Sequence, residues 1–300
     1  MQAFGRELKR ASAAPGRLSA PRIGVALGGG FARGIAHIGV LKVLEEERIP
    51  IHCLAGTSVG ALIGAGYCSG LSAAELETVA RRARFRDFAR WTVSRYGFAS
   101  NERMIRFLNS FLKVQQFEDL VIPFAVATTD FATGKGVIFR SGPLADAVRA
   151  SCAYPGFFSP VSIGGKWLVD GMLAHPVPAV PVAEMGATHI IAISLKTTWS
   201  LGGAPRHLFD VIGQCFAIAL ENNARQWRSA ATLVVEPDVS GFAYDDFSRT
   251  PELLEAGEKA MRAAMSQVRK WLDVVSDTAE ISSGQYPAVN LPLTNESQAT

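Results

Sequence analysis

Hydrophobic positions along the chain fall into two kinds of block. Residues 23–29 (IGVALGG) form a short unbroken apolar run ending in glycine, and residues 52–56 (HCLAG) form another. Such runs predict strands buried on both faces. Between them, within residues 32–47, Ile35, Ile38, Leu41 and Leu44 recur at helical spacing before a cluster of acids, which predicts an amphipathic helix. Residues 58–70 (SVGALIGAGYCSG) read as a helix of small residues, and Ser72-x-x-Glu75 as a capping box opening the next. Further on, residues 123–130 and 134–141 predict strands, 144–151 a short helix, and 161–171 a hairpin turning at Gly164–Gly165. Residues 188–195 and 231–238 are apolar enough for buried strands, separated by a helix near 207–229. A last amphipathic helix is expected over 251–274. The alternation predicts an α/β fold with a mostly parallel sheet covered by helices. The expected organisation is a basic arm at 1–21, one domain over 22–275 and a polar, Pro- and Gly-broken tail at 276–300.

Composition changes this picture little. The chain has 300 residues, 48% of them apolar, which suits a sizeable buried core. A net charge of +3 is too small to argue for nucleic acid. The four cysteines lie far apart with no CxxC pair, and no HExxH occurs. That argues against a disulfide framework or a zinc site and fits a reducing compartment, so a cytoplasmic location without metal or other cofactor is expected. The N-terminal stretch carries Arg6, Lys9, Arg10, Arg17 and Arg22 against Glu7 and lacks the apolar core of a secretory signal. It suits a disordered arm, or peripheral attraction to an anionic membrane. Residues 49–74 hold no charge but include five glycines, Pro50 and His52. A buried strand and helix explain them better than a membrane span.

The strongest chemical signal is Gly56-Thr57-Ser58-Val59-Gly60, lying between a short strand and a small-residue helix. A GxSxG turn in that setting forces its serine into a strained corner, with the glycines removing side chains that would clash. The hydroxyl then stands beside a helix N-terminus, whose free N–H groups favour a developing oxyanion. Ser58 is therefore the expected nucleophile. The upstream run VALGGGFARG at 25–34 misses the dinucleotide spacing GxGxxG by one residue and has no lysine for a P-loop. It fits a loop of backbone donors for an acyl-transfer oxyanion. Arg33 is expected to order that loop or to meet a substrate phosphate.

A serine nucleophile needs a base. His37 lies on the helix after the glycine loop, and His52, His189 and His207 sit at element edges without a motif. His175 follows Asp170 in LVDGMLAHPVP. Asp170 occupies an Asp-Gly turn, which is a common structural use of aspartate. A carboxylate with a pKa raised by burial can also take a serine proton directly.

The blocks GGGFARGIAHIGVL, GTSVGA, ASCAYPGFFSPV and LVDG, in this order, resemble the patatin-like phospholipases, in particular the bacterial members related to neuropathy target esterase. The resemblance covers roughly residues 22–260. It implies a three-layer α/β/α fold and a Ser58–Asp170 dyad with no catalytic histidine. It further implies an oxyanion loop that includes Gly28, Gly29, Gly30 and Arg33, to which the N–H groups of Phe31 and Val59 are added here. The implied reaction is metal-free hydrolysis of acyl esters in phospholipids or lysophospholipids. Two positions depart from the family pattern. Met172 stands where Gly or Ala is usual, and His175 where Asn is common. His175 reopens a role for histidine, or caps the helix that follows. Met172 leaves room for a non-catalytic lipid-binding protein, and the same dyad also serves acyl transfer to an acceptor other than water.

One further stretch is suggestive. Residues 81–98 carry Arg81, Arg82, Arg84, Arg86, Arg90 and Arg95 against Asp87, interleaved with Phe85, Phe88, Trp91, Tyr96 and Phe98. A solvated amphipathic helix and loop would have this composition, and so would an element at a lipid–water boundary. No nucleic-acid recognition motif accompanies it.

Overall fold

The computed structural model describes residues 20–94, 97–195, 204, 208–222, 224–243 and 246–281. Nearly all of the basic arm, the tail after 281, Arg95, Tyr96 and His207 lie outside the described residues. One compact unit spans Pro21–Ser266.

In chain order the elements are β1 (Ile23–Leu27), α1 (Ala36–Glu46), β2 (Ile51–Thr57), α2 (Val59–Cys68), α3 (Ala73–Arg82), α4 (Phe85–Phe88), β3 (Arg90–Ser94) and β4 (Gly97–Ser100). There follow α5 (Arg103–Asn109), β5 (Phe124–Asp130), β6 (Gly136–Phe139), α6 (Leu144–Ser151), β7 (Val161–Ile163) and β8 (Lys166–Asp170). The chain closes with α7 (Ala179–Glu184), β9 (His189–Ile193), α8 (Leu208–Asn222), α9 (Arg225–Ala230), β10 (Leu233–Val235) and α10 (Thr250–Ile281).

The main sheet runs β10-β9-β1-β2-β5-β8-β7, with β6 also paired to β5. From β10 to β5 every pairing is parallel; β8, β7 and β6 are antiparallel additions. This is the α/β fold with a mostly parallel central sheet flanked by helices that the alternating blocks predict. β1 is buried along its whole length, as an interior parallel strand must be. The uncharged stretch 49–74 resolves into β2, α2 and the start of α3, which opens on the Ser72–Glu75 capping box. Gly164 and Gly165, with φ of 57° and 77°, make the two-residue turn between β7 and β8.

Three expectations need correcting. Residues 81–98 are not a helix and loop but the end of α3, the single turn α4 and a two-stranded hairpin, β3–β4. The helix expected near 207–229 is two helices, α8 and α9. The last helix runs on to Ile281 rather than ending near 274. α5 has no counterpart in the sequence pattern.

The register around β5 decides where the site forms. Val126 and Ala127 pair with both β2 and β6, so those strands lie on opposite edges of β5. Thr128 and Thr129 pair with both β6 and β8, so β8 shares the edge held by β2. β2 arrives parallel and ends with Thr57 opposite Ala127. β8 arrives antiparallel and ends with Asp170 opposite Thr128. Two strand ends thus meet head to head on adjacent residues of a third strand.

Candidate active site

Ser58 is the one residue between β2 and α2. Its backbone takes φ 55° and ψ −124°, a conformation that costs an L-residue about 1–3 kcal/mol and persists only where surroundings enforce it. Two contacts enforce it here. The Ser58 N–H donates to Ser151 Oγ at 2.8 Å, and that hydroxyl donates on to the Ala127 carbonyl at 2.6 Å. Gly60 then lets α2 pass close over the end of β1: a Cβ there would meet the Leu27 carbonyl oxygen and stand 2.6 Å from that of Gly28. Ser151 is buried completely on α6. Sequence reasoning missed it, because a hydroxyl in an ordinary short helix carries no motif.

Asp170, at the end of β8, is also fully buried. Its main chain is fixed on both sides: its N–H donates to the Ala153 carbonyl and its own carbonyl accepts from Thr129 Oγ1, both at 2.9 Å. Oδ1 accepts the Met172 N–H at 2.9 Å. Oδ2 is buried with no hydrogen bond. Burial raises the carboxyl pKa to about 7, opposed by the Met172 N–H and then by the neighbouring Ser58 hydroxyl. The turn is therefore an Asx-type turn as well as a site for a base near neutrality. The Ser58 hydroxyl is thus a close neighbour of Asp170 without closing a hydrogen bond on Oδ2.

The glycine loop stands beside them. An added Cβ on Gly29 would lie 3.5 Å from Ser58 Cβ and 3.8 Å from Met172 Cβ. Two of its expected donors are already engaged, however. The Gly28 N–H bonds the Ile193 carbonyl at 3.1 Å and the Gly29 N–H bonds the Pro176 carbonyl at 3.2 Å. Gly30 follows them, and Phe31, at φ 51°, turns its ring edge-on to Tyr154 at 4.9 Å. Val59 opens α2, where N–H groups have no carbonyl a turn earlier to bond. His37 is fully buried, and burial pushes its pKa down to about 4. Its neutral ring donates from Nε2 to the Gly28 carbonyl at 2.8 Å and so anchors the loop.

Arg33 is not a surface residue. It is 2% exposed, and its Nε donates to the Phe242 carbonyl at 2.9 Å. It orders the loop from beneath by tying it to the segment after β10. His175 makes no hydrogen bond from its ring to Ser58 or Asp170. Its ring packs over Gly136 of β6, while its carbonyl accepts Thr57 Oγ1 at 2.7 Å. It does not cap α7, whose N-cap is Pro178. The departure at Met172 has a packing role: the side chain is buried in a cluster with Tyr154, Phe158 and Phe31.

Ser58 opens onto an apolar cavity of about 480 Å³. Ile35, Leu62, Leu76 and Val79 line its helical side, and Phe85, Phe88, Trp91, Phe107 and Phe157 its aromatic side. Among the described residues no cluster of His, Cys, Asp or Glu has the makings of a metal site. No helix among them is long and apolar enough to cross a membrane.

A family model described as patatin-like phospholipase matches residues 25–183. An NTE family protein of Mycobacterium tuberculosis is 34% identical over 193 residues, which is 59% of this chain and 50% of the relative. Lysophospholipase NTE1 of Mycosarcoma maydis is 31% identical over 236 residues, 75% of this chain and 12% of that protein. The chain thus spans about half the length of the mycobacterial relative and a small part of the fungal one. Among solved structures, VipD from Legionella pneumophila shares the fold, with a TM-score of 0.54 at 12% identity, over 85% of this chain and 67% of VipD.

Proposed function

The chain belongs to the patatin-like phospholipase family, and from that premise we propose that it is a serine lipid acyl hydrolase working through Ser58 and Asp170. What supports this most is a single pairing. A serine in a strained elbow neighbours a fully buried carboxyl with a pKa of about 7 and lines an apolar cavity of about 480 Å³.

In this reading the acyl chain of a phospholipid or lysophospholipid occupies the cavity and brings its ester carbonyl to Ser58. Asp170, ionised, takes the Ser58 proton as Oγ attacks the carbonyl carbon. The N–H of Val59, with Gly30 on the facing loop, stabilises the oxyanion. Collapse of the tetrahedral intermediate breaks the ester C–O bond, and the proton on Asp170 passes to the departing alcohol or lysolipid. Water then gives Asp170 a proton as it attacks the acyl-serine, and release of fatty acid returns that proton to Ser58. The low pKa of His37 and its bond to Gly28 leave it a loop anchor rather than a base.

The test is labelling of the full chain by a fluorophosphonate probe beside turnover of a short-chain p-nitrophenyl ester. Both are expected in the wild type and neither in Ser58→Ala. Labelling that persists in Ser58→Ala would sink the assignment.

A further inference from the structure

Positive charge and aromatic surface gather where the cavity meets solvent. Arg82, Arg86, Arg90 and Arg106 are exposed, and none has an ion-pair partner among the described residues. Arg81 nearby is paired with Glu77 at 2.6 Å, whereas these four carry unneutralised charge, as does Arg84, whose guanidinium donates to the Arg81 and Ala83 carbonyls. Asp87 and Glu102 are the acids interspersed with them; the Asp87 carboxylate accepts the Arg84 N–H at 2.8 Å.

The hairpin presents two aromatic residues on its two faces. Trp91 lies opposite the buried Ala99, so it belongs to the inner face. It contacts Phe85 and Phe157 at 5.3 and 5.5 Å and lines the cavity, yet it is 65% exposed. The cavity therefore reaches the surface at Trp91. Phe98, the neighbour of Ala99, lies on the outer face with Arg90 and is 49% exposed. Exposed aromatic rings beside unpaired arginines, around the opening of an apolar cavity, suit one environment above others. It is the headgroup region of an anionic bilayer, where rings sit at the apolar boundary and arginines meet phosphate.

We propose that β3–β4, with the flanking Arg82, Arg86 and Arg106, is the surface on which this protein docks to an anionic lipid bilayer. Phe98 and the rim of Trp91 enter the interface, and the arginines hold the headgroups. An acyl chain then passes from bilayer to cavity without crossing water. The use of the cavity rests on the acyl-hydrolase reading; the docking itself does not.

The experiment is sedimentation of the full chain, as Ser58→Ala so that lipid is not consumed, with phosphatidylcholine vesicles containing or lacking phosphatidylserine. The parent is expected to bind only where phosphatidylserine is present. Arg86→Gln/Arg90→Gln is expected to weaken that binding about 25-fold, at about fivefold per interfacial arginine, and Phe98→Ser to weaken it as well. With Ser58 restored, both variants should hydrolyse a soluble short-chain ester like the wild type, which establishes that they fold. Variants that bind as tightly as the parent would overturn the proposal and assign membrane affinity to the basic N-terminal stretch. A parent indifferent to phosphatidylserine would overturn it too. Because binding is read without turnover, failure here is distinct from failure of the hydrolase reading.

Discussion

The chain leaves the sheet at the ends of two neighbouring parallel strands, and the two exits are built differently. After β1 it runs through three glycines and a short 3-10 turn before α1 begins. After β2 it turns on Ser58 alone. The first exit is held by main-chain bonds to Ile193 and Pro176 and by the His37 ring. The second is held by one side-chain hydroxyl, Ser151, and by the close passage of α2 that Gly60 permits. Glycine makes the first path by removing side chains. Strain makes the second by forcing one side chain out of the turn. Together they bring backbone and a hydroxyl to one point, and each holds one non-glycine residue at positive φ, Phe31 in the first and Ser58 in the second.

The largest effect expected from breaking this arrangement is at the partner of the strained residue. Asp170→Asn keeps an oxygen for the Met172 N–H but cannot take a proton, and kcat is expected to fall about 10²–10⁴-fold. In the wild type kcat/KM for a soluble ester should rise with pH through about 7 and level off above it, as Asp170 ionises; the variant should lose that limb. Stability moves the other way. Burial lifts the folded carboxyl from 3.8 to about 7, so the folded state keeps a proton that the unfolded chain releases. The wild type should lose stability relative to Asp170→Asn as pH rises from 3.8 to about 7, with no further change above. Melting midpoints across that range check the sign.

Next comes the glycine exit. A methyl on Gly29 makes ordinary contacts, 3.5 Å from Ser58 Cβ and 3.8 Å from Met172 Cβ. Gly29→Ala should therefore melt like the wild type while displacing the ester carbonyl, at a cost of about 10²-fold in kcat/KM. An equal loss of stability would mean that the loop needs glycine for its fold rather than for access to Ser58.

The support of the elbow should matter less. Ser151→Ala leaves the Ser58 N–H and the Ala127 carbonyl unpaired inside the protein, and should destabilise it by about 1–3 kcal/mol in denaturant titration. Because Ser151 positions Ser58 without touching substrate, kcat should fall while KM holds. Parallel changes in both would point to a general loosening of the fold. The smallest effect separates strain from chemistry. Both Ser58→Ala and Ser58→Gly are expected to be inactive, but only glycine is at ease at φ 55°. Ser58→Gly should be the more stable of the two by about 1 kcal/mol.

Much of this was legible in the sequence. The strands of the parallel core, the GTSVG elbow and the Asp-Gly turn stood out because each depends on neighbours within a few residues. For Arg33 the sequence left loop ordering and phosphate contact both open, because the carbonyl it serves, at Phe242, lies far along the chain and no local pattern reports its burial. The β3–β4 hairpin was hidden because its arginines break the apolar alternation that marks a strand. Gly28 and Gly29 had the right residue type for oxyanion donors, but their N–H groups are taken by strands and loops that pack later in the chain.

The sequence by itself determined which residues have the chemistry to react and which segments must be buried, since hydroxyls, carboxyls, glycines and apolar runs are properties of the chain. Only the tertiary structure decided that they meet. β2 and β8 share one edge of β5 from opposite directions, so Thr57 and Asp170 end on adjacent rungs. That register, and the burial it imposes on the carboxyl, give a common turn residue the raised pKa and the place beside Ser58 that the proposed base requires.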